Sequence, residues 1–360
     1  MIIRRHMLNR KLFKVLGSIL IISAGVYGWM KIQDQHTIRS MAEDEQMLFG
    51  TAMRYQPFSD DSGYRELIKN EFNAVTIENE MKMELVMPER GKYDFSQADE
   101  MVQFADENGL QVRGHTLVWE RIPWWLDQGN FTRDEITNLL KEYVQTTVKQ
   151  YQGRIYAWDV VNEAFDNKGN LKENFWLQHI GSDYIELAFR WAKEADPDAL
   201  LFYNDYENEV PSAKTEATIK WLSELRQKGV PIDGIGMQMH LDIANDFHVD
   251  QVQNVMNQME QEGFLVHITE LDIKLQHSGE DLETKQQLQA ERYAEIMKVC
   301  LQQATCDSFT VWGAADPYSW IGFTEEPGAS VAYPLLFDDK LKRKPAYKAI
   351  KAIFKEDIRK

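Results

Sequence analysis

From residue 48 to residue 312 the chain repeats one pattern, a short apolar run followed by a longer stretch of helical periodicity. The apolar runs cover residues 48–53, 74–78, 112–119, 155–163, 200–205, 235–240, 265–271 and 309–312. Each has the length of a strand, and each gap is long enough for a covering helix. Parallel strands need a crossover, usually helical, so this alternation builds a parallel sheet. The helical stretches carry their own punctuation. Thr132 to Glu135 reads Thr-Arg-Asp-Glu, a capping box in which hydroxyl and carboxylate satisfy free helix N–H groups. After it, Ile136, Leu139, Leu140, Tyr143, Val144, Thr147 and Val148 share one helical face, and Gly153 ends the stretch. Gly109, Gly229 and Gly263 stand at similar stops, where glycine enters the left-handed conformation freely. Eight strand–helix units predict an α/β fold, a (β/α)8 TIM barrel, as one domain over residues 41–360. The rival is a doubly wound open sheet. It calls for a Gly-rich phosphate loop after an early strand, and the sequence has none.

Residues 1–40 differ from the rest. Arg4, Arg5, Arg10, Lys11 and Lys14 precede an apolar run over residues 15–30. A basic segment followed by an apolar one reads as an export signal. The run also approaches the ~20 residues of a spanning helix, so a cleaved signal and an uncleaved membrane tether fit equally. In both cases the rest of the chain is expected outside the cytoplasm, secreted or held at the outer face of the membrane. Residues 31–46 read as a polar linker or a lead-in helix. The formal net charge of -17 argues against a nucleic-acid partner and against a polyanionic substrate. Cys300 and Cys306 are the two cysteines. Their spacing fits no zinc or redox pattern. A disulfide and two buried thiols both remain open.

The polar residues of interest gather at one end of the predicted strands. Glu78, Asn79 and Lys82 follow the second run, and His115 and Trp119 lie late in the third. Asn162 and Glu163 close the fourth, and Asn204, Asp205 and Tyr206 the fifth. Gln238 and His240 close the sixth, Glu270 and Asp272 the seventh, and Trp312 the eighth. In a barrel of this kind the C-terminal strand ends build the active site. A lone glutamate at a strand end is most often an ion pair or a helix cap. Two of them, among Trp, Asn, Gln and His, form the carboxylate pair that glycosidic bond cleavage requires. Ten tryptophans are present. Trp158, Trp176 and Trp191 read as core. Trp119, Trp124, Trp125, Trp312 and Trp320 fall in loops or strand ends, where a flat face can meet the C–H face of a sugar.

These segments resemble glycoside hydrolase family 10, the endo-β-1,4-xylanases, from about residue 48 to residue 353. The motifs are Phe-Gly-Thr-Ala (49–52), Glu-Asn-Glu-Met-Lys (78–82), Arg-Gly-His-Thr-Leu-Val-Trp (113–119) and Trp-Asp-Val-Val-Asn-Glu-Ala (158–164). Tyr-Asn-Asp-Tyr (203–206), Gln-Met-His (238–240), Ile-Thr-Glu-Leu-Asp (268–272), Val-Trp-Gly (311–313) and Ser-Trp (319–320) complete the set. The resemblance implies a retaining enzyme that cuts internal bonds of xylan, with Glu270 as nucleophile and Glu163 as general acid/base. It implies that His240 and Asp272 neighbour the nucleophile, and that Asn162 and Gln238 bond the sugar beside the scissile bond. It implies substrate binding by Glu78, Asn79, Lys82, His115, Trp119, Tyr206, Trp312 and Trp320. It also implies a disulfide between Cys300 and Cys306. Neither metal nor cofactor is expected; the partner is a xylan or xylo-oligosaccharide chain, and the protein is expected to be a monomer.

Three places depart from the family pattern. Glu120, Arg121 and Ile122 follow Trp119 where many members have His-Ser-Gln, Glu207 replaces an Asn, and Met239 replaces a Ser. The first segment borders the glycone subsites and helps exclude a hydroxymethyl group. A β-1,4-glucanase or a transglycosylase on the same barrel is therefore the main alternative. A non-catalytic glycan-binding protein would need a lost carboxylate. A metal-dependent hydrolase would need a compact ligand spacing that is missing.

Overall fold

The computed structural model describes residues 36–275, 279–321 and 333–356. The basic and apolar N-terminal segment lies outside the described residues. Nine strands form: β1 Leu48–Met53, β2 Ala74–Ile77, β3 Gln111–Gly114, β4 Ile155–Asn162, β5 Leu200–Asp205, β6 Gly234–Met237, β7 His240–Asp242, β8 Leu265–Lys274 and β9 Ser308–Val311. Eight of them close a barrel in the order β1, β2, β3, β4, β5, β6, β8, β9 and back to β1, every pairing parallel. The short β7 pairs on the extended end of β8, with His240 opposite Asp272. A helix follows each barrel strand: α1 Ser62–Glu71, α2 Ser96–Glu107, α3 Arg133–Gln150, α4 Asp183–Ala195, α5 Ala213–Gln227, α6 Val249–Gln261, α7 Leu282–Gln302 and α8 Pro345–Ile353. The (β/α)8 expectation holds.

Local chemistry explains these limits. α3 opens on the full capping box, with Thr132 accepting from Glu135 N and the Glu135 side chain accepting from Thr132 N. α2 stops at Asn108, and Gly109 turns away at φ 64°, a backbone a Cβ would strain. α4 buries Tyr184, Ile185, Ala188, Phe189, Trp191 and Ala192, the i, i+3, i+4 stripe of a helix on a sheet. Truncating Phe189, fully buried, would cost about 3–5 kcal/mol. The ring is tied where it begins and ends. A helix over Ile38–Asp44 buries Ile38 and Ala42, and Ile38 N donates to the Tyr347 hydroxyl on α8. That hydroxyl donates to Glu71 on α1, which also accepts from Arg343. Cys300 at the end of α7 is bonded to Cys306 just before β9, which decides between the two readings of that pair.

Two strands differ from their apolar runs. The third run continues to Trp119, yet β3 ends at Gly114. Gly114 lies so close to the Trp158 ring that a Cβ there would fall 2.2 Å from it. Beyond it the chain crosses a cis bond from His115 to Thr116 and bridges back to β4 only at Val118. The sixth run breaks into β6 and β7 at Met239, where φ is 59°.

Candidate active site

The C-terminal strand ends open into a cleft of about 600 Å3. Glu163 directly follows β4, Glu270 lies within β8, and both face this cleft. Glu163 sits at φ 57°, a left-handed backbone that costs a non-glycine residue energy and that clusters at functional sites. Its carboxylate is held by neutral donors. Trp119 Nε1 donates to Oε2 at 3.0 Å, and the amides of Asn162 and Gln238 each donate to Oε1 at 3.0 Å. The Lys172 ammonium lies 3.8 Å from Oε2 and 3.8 Å from the Glu120 carboxylate.

Glu270 has a different setting. The Asn204 amide donates to its Oε1 at 2.6 Å, and His240 Nε2 is 3.3 Å from Oε2. The other ring nitrogen of His240 lies 3.1 Å from Asp272, which also accepts from Trp320 Nε1 at 2.7 Å. Burial would push His240 down, but the Asp272 and Glu270 carboxylates overcome it and raise its pKa to about 10. His240 is therefore an imidazolium at neutral pH. His115 Nδ1 lies 4.0 Å from Glu270 and 3.0 Å from Asp159. Asp159 takes a forked bond from Arg113, whose Nη1 reaches His267 at 3.0 Å. Burial would raise the Asp159 carboxyl, and the Arg113 guanidinium and His115 outweigh it and hold it low. A buried, fully paired charge layer thus supports the floor of the cleft.

The two carboxylates share one amide chain. Asn204 also donates to Asn162 Oδ1 at 2.8 Å, and Thr269 fixes Asn204 by donating to its Oδ1 at 2.7 Å. On the far wall Asn79 donates to Glu78, and Lys82 donates to Asn79 Oδ1 at 3.1 Å while lying over the Trp119 ring. Burial raises the Glu78 pKa to about 7 against the pull of Arg54 and Lys82. Trp312 packs edge-on against His115, and Trp320 against His240. Two buried or half-buried carboxylates, one beside an imidazolium and one among neutral donors, with aromatic faces around them, make a site for cleaving a glycosidic bond.

The model of "Glycosyl hydrolase family 10" matches residues 37–353. The chain belongs to glycosyl hydrolase family 10. It is 37% identical over 350 residues to endo-1,4-beta-xylanase B of Thermotoga neapolitana, covering 96% of this chain and 99% of that one. It is 40% identical over 295 residues to the beta-1,4-xylanase of Dictyoglomus thermophilum, covering 79% and 82%. Xylanase 10B of Thermotoga petrophila RKU-1, solved in complex with xylobiose, superposes with a TM-score of 0.86 at 39% identity, covering 90% of this chain and 98% of that one.

Within this family 10 site the structure gathers Glu78, Asn79, Lys82, His115, Trp119, Asn162, Glu163, Tyr206, Gln238, His240, Glu270, Trp312 and Trp320 along the one cleft. Asp272 stands behind His240 and does not line it. Trp158, Trp176 and Trp191 are buried core, as read from the sequence. Of the departures, Arg121 and Glu207 line the cleft, with Arg121 paired to Glu84 at 2.5 Å and Glu207 accepting from Asn167 at 2.6 Å. Met239 is fully buried. Three participants escaped the sequence reading. Asp159 had a signal, since it lies inside the fourth apolar run and the Trp-Asp-Val-Val-Asn-Glu-Ala segment. Lys172 comes from a loop without periodicity, and nothing in the sequence marks it, whereas Arg54 directly follows β1 and carried the same strand-end signal as the others. Among the described residues no group of three or more His, Cys, Asp or Glu is arranged to hold a metal ion.

Proposed function

We propose that this family 10 hydrolase is an endo-1,4-β-xylanase that works by double displacement with retention at the anomeric carbon. Glu270 attacks the anomeric carbon while Glu163 passes its proton to the departing glycosidic oxygen, and the bond to that oxygen breaks. Glu163, now a carboxylate, takes a proton from water. That water attacks the same carbon and frees Glu270. The observation that carries this assignment is the asymmetry of the pair. An imidazolium contacts Glu270, and only neutral amide and indole donors bond Glu163. In this reading Asn162 and Gln238 bond the sugar beside the scissile bond, where such bonds count most in the transition state. The relatives named as xylanases and the neighbour solved with xylobiose support a xylo-oligosaccharide substrate.

Export fits the same reading. The basic and apolar N-terminus reads as a signal or tether, and a disulfide persists in oxidising surroundings. Among the described residues no helix is long and apolar enough to cross a membrane. Cell fractionation checks this, and activity confined to the cytoplasm would refute it.

The test is hydrolysis of xylan against a soluble β-1,4-glucan, with Glu270→Ala as control and the anomer of the first product followed by NMR. Cleavage of xylan to the β anomer, lost in the variant, is expected. An α product would overturn retention. Preference for the glucan would move the substrate and point to Arg121, the one residue of the 120–122 departure that lines the cleft.

A further inference from the structure

Outside the cleft, the loops after β2 and β3 border a second, open hollow of about 620 Å3. Its lining includes Glu84, Glu120, Arg121, Ile122, Trp124 and Asp127. Trp124 is 78% exposed, far more than any other large apolar side chain among the described residues. The turn that carries it is held in place. Pro123 caps the single helical turn Trp124–Asp127, Leu126 within that turn is fully buried, and the next indole, Trp125, donates to Met87 O at 3.0 Å. An indole left in water on an anchored turn offers a flat face for stacking. Arg121 lines this hollow and the catalytic cleft alike, so the two adjoin. Glu120 lines the hollow too and reaches Lys172, 3.8 Å from Glu163 on the cleft side.

We propose that this hollow is a sugar subsite, in which a neutral sugar unit of the same polysaccharide stacks on Trp124 and bonds the flanking carboxylates through its hydroxyls. This rests on the functional reading above. The chemistry of the lining selects the ligand. A flat indole matches the C–H face of a pyranose or furanose, and carboxylates accept hydroxyl hydrogen bonds. Glu84, Glu120 and Asp127 outnumber Arg121, so the hollow repels uronates and anionic lipid surfaces. The occupant is either a main-chain unit beyond those at the carboxylates or a neutral pentose branch, and both present the same hydroxyl-bearing ring.

The experiment uses the full chain and Trp124→Ala, with Trp124→Phe as the conservative variant. An aryl xylobioside, linear xylohexaose and arabinosylated xylan are compared. For Trp124→Ala, KM should rise about 5- to 10-fold on a substrate that reaches the hollow, the size of one lost aromatic contact. It should stay within about twofold on the aryl xylobioside, and Trp124→Phe should restore most of the loss. A loss on xylohexaose identifies a main-chain unit, and a loss confined to the arabinosylated chain identifies a branch; each supports the subsite. Equal losses on all three, or none on any, would overturn it. So would unchanged kinetics with release of the full chain from membranes, which would make Trp124 a lipid contact. If the wild type fails on every xylo-substrate, the functional reading itself is wrong. A wild type that cleaves them while Trp124→Ala matches it sinks the subsite alone.

Discussion

The β8 wall and the β4 wall of the cleft each hold a glutamate, by opposite means. Glu270 meets charge, with His240 at 3.3 Å carrying a pKa raised to about 10. Glu163 meets neutral N–H groups on both oxygens, and its nearest cation, Lys172, stays at 3.8 Å. The exposure of the side chains follows the same division, 6% for Glu270 and 14% for Glu163. The fold separates two identical side chains by neighbour chemistry, not by depth alone.

The largest effect should come from breaking each wall at its centre. Glu270→Ala should reduce turnover to background on every substrate. Glu163→Ala should lose about 10²–10⁴-fold on xylan, the usual worth of general acid–base catalysis. On an aryl xyloside whose leaving group needs no proton, it should retain its glycosylation rate. Pre-steady-state release of the aryl group measures this. Equal losses on both substrates would mean that Glu163 does not donate a proton.

Next comes the charge itself. His240→Asn should lower kcat/KM about 10- to 100-fold, the worth of one charged hydrogen bond of about 1.5–3 kcal/mol. It should also change the dependence of stability on pH. The folded pKa of about 10 exceeds the unfolded value of ~6.5. The stabilisation by His240 is therefore complete below pH ~6.5 and fades as pH rises through about 10. Thermal melts between pH 6 and 10 should show that slope in the wild type and lose it in the variant. A parallel slope in both would show that another group carries it.

A smaller loss is expected on the other wall. Burial would lower the Lys172 pKa, but the Tyr206 hydroxyl and the Glu163 and Glu120 carboxylates raise it, so the ammonium stays charged. Half-shielded at 3.8 Å, its pairing with Glu163 is worth about 1 kcal/mol. Lys172→Met should slow xylan cleavage about fivefold and spare substrates with activated leaving groups. A loss shared by both substrates would mean that Lys172 only supports the loop.

Much of this contrast was legible beforehand, for a definite reason. Apolar runs end close to where their strands end, so Asn162, Glu163, Gln238 and Glu270 could be placed at strand ends from the runs alone, and all four lie along the cleft. The eight barrel strands follow the apolar runs because both faces of a strand in a parallel barrel are buried. Lys172 reaches the site from a loop, whose course depends on tertiary packing that no local pattern encodes. The left-handed backbone at Glu163, Glu207 and Met239 was equally hidden, because no glycine announces it. The third run overshot its strand because residues 115–119 are as buried as a strand without being one. Their carbonyl and amide partners come from β4 only at Leu117 and Val118.

Glu78 gives the finest test of what separates the walls. It is a buried carboxylate with cations nearby, Arg54 at 3.7 Å and Lys82 beyond, but no imidazolium bonds it. Burial wins there, and its pKa rises to about 7. The unfolded value is ~4.3, so the native state binds this proton more tightly than the unfolded chain does. Stability from this group is then present below pH ~4.3 and is lost as pH climbs through about 7, the reverse of a salt-bridged acid. Glu78→Gln should leave the melting temperature near pH 4 unchanged and raise it near pH 8. KM should increase only a few-fold, since the amide keeps one acceptor for a sugar hydroxyl. If the variant instead melts lower at pH 8, Arg54 and Lys82 already outweigh burial. Proximity of cations would then be enough to hold a carboxylate ionised in this cleft, and the hydrogen bond from His240 to Glu270 would lose its special place in the comparison.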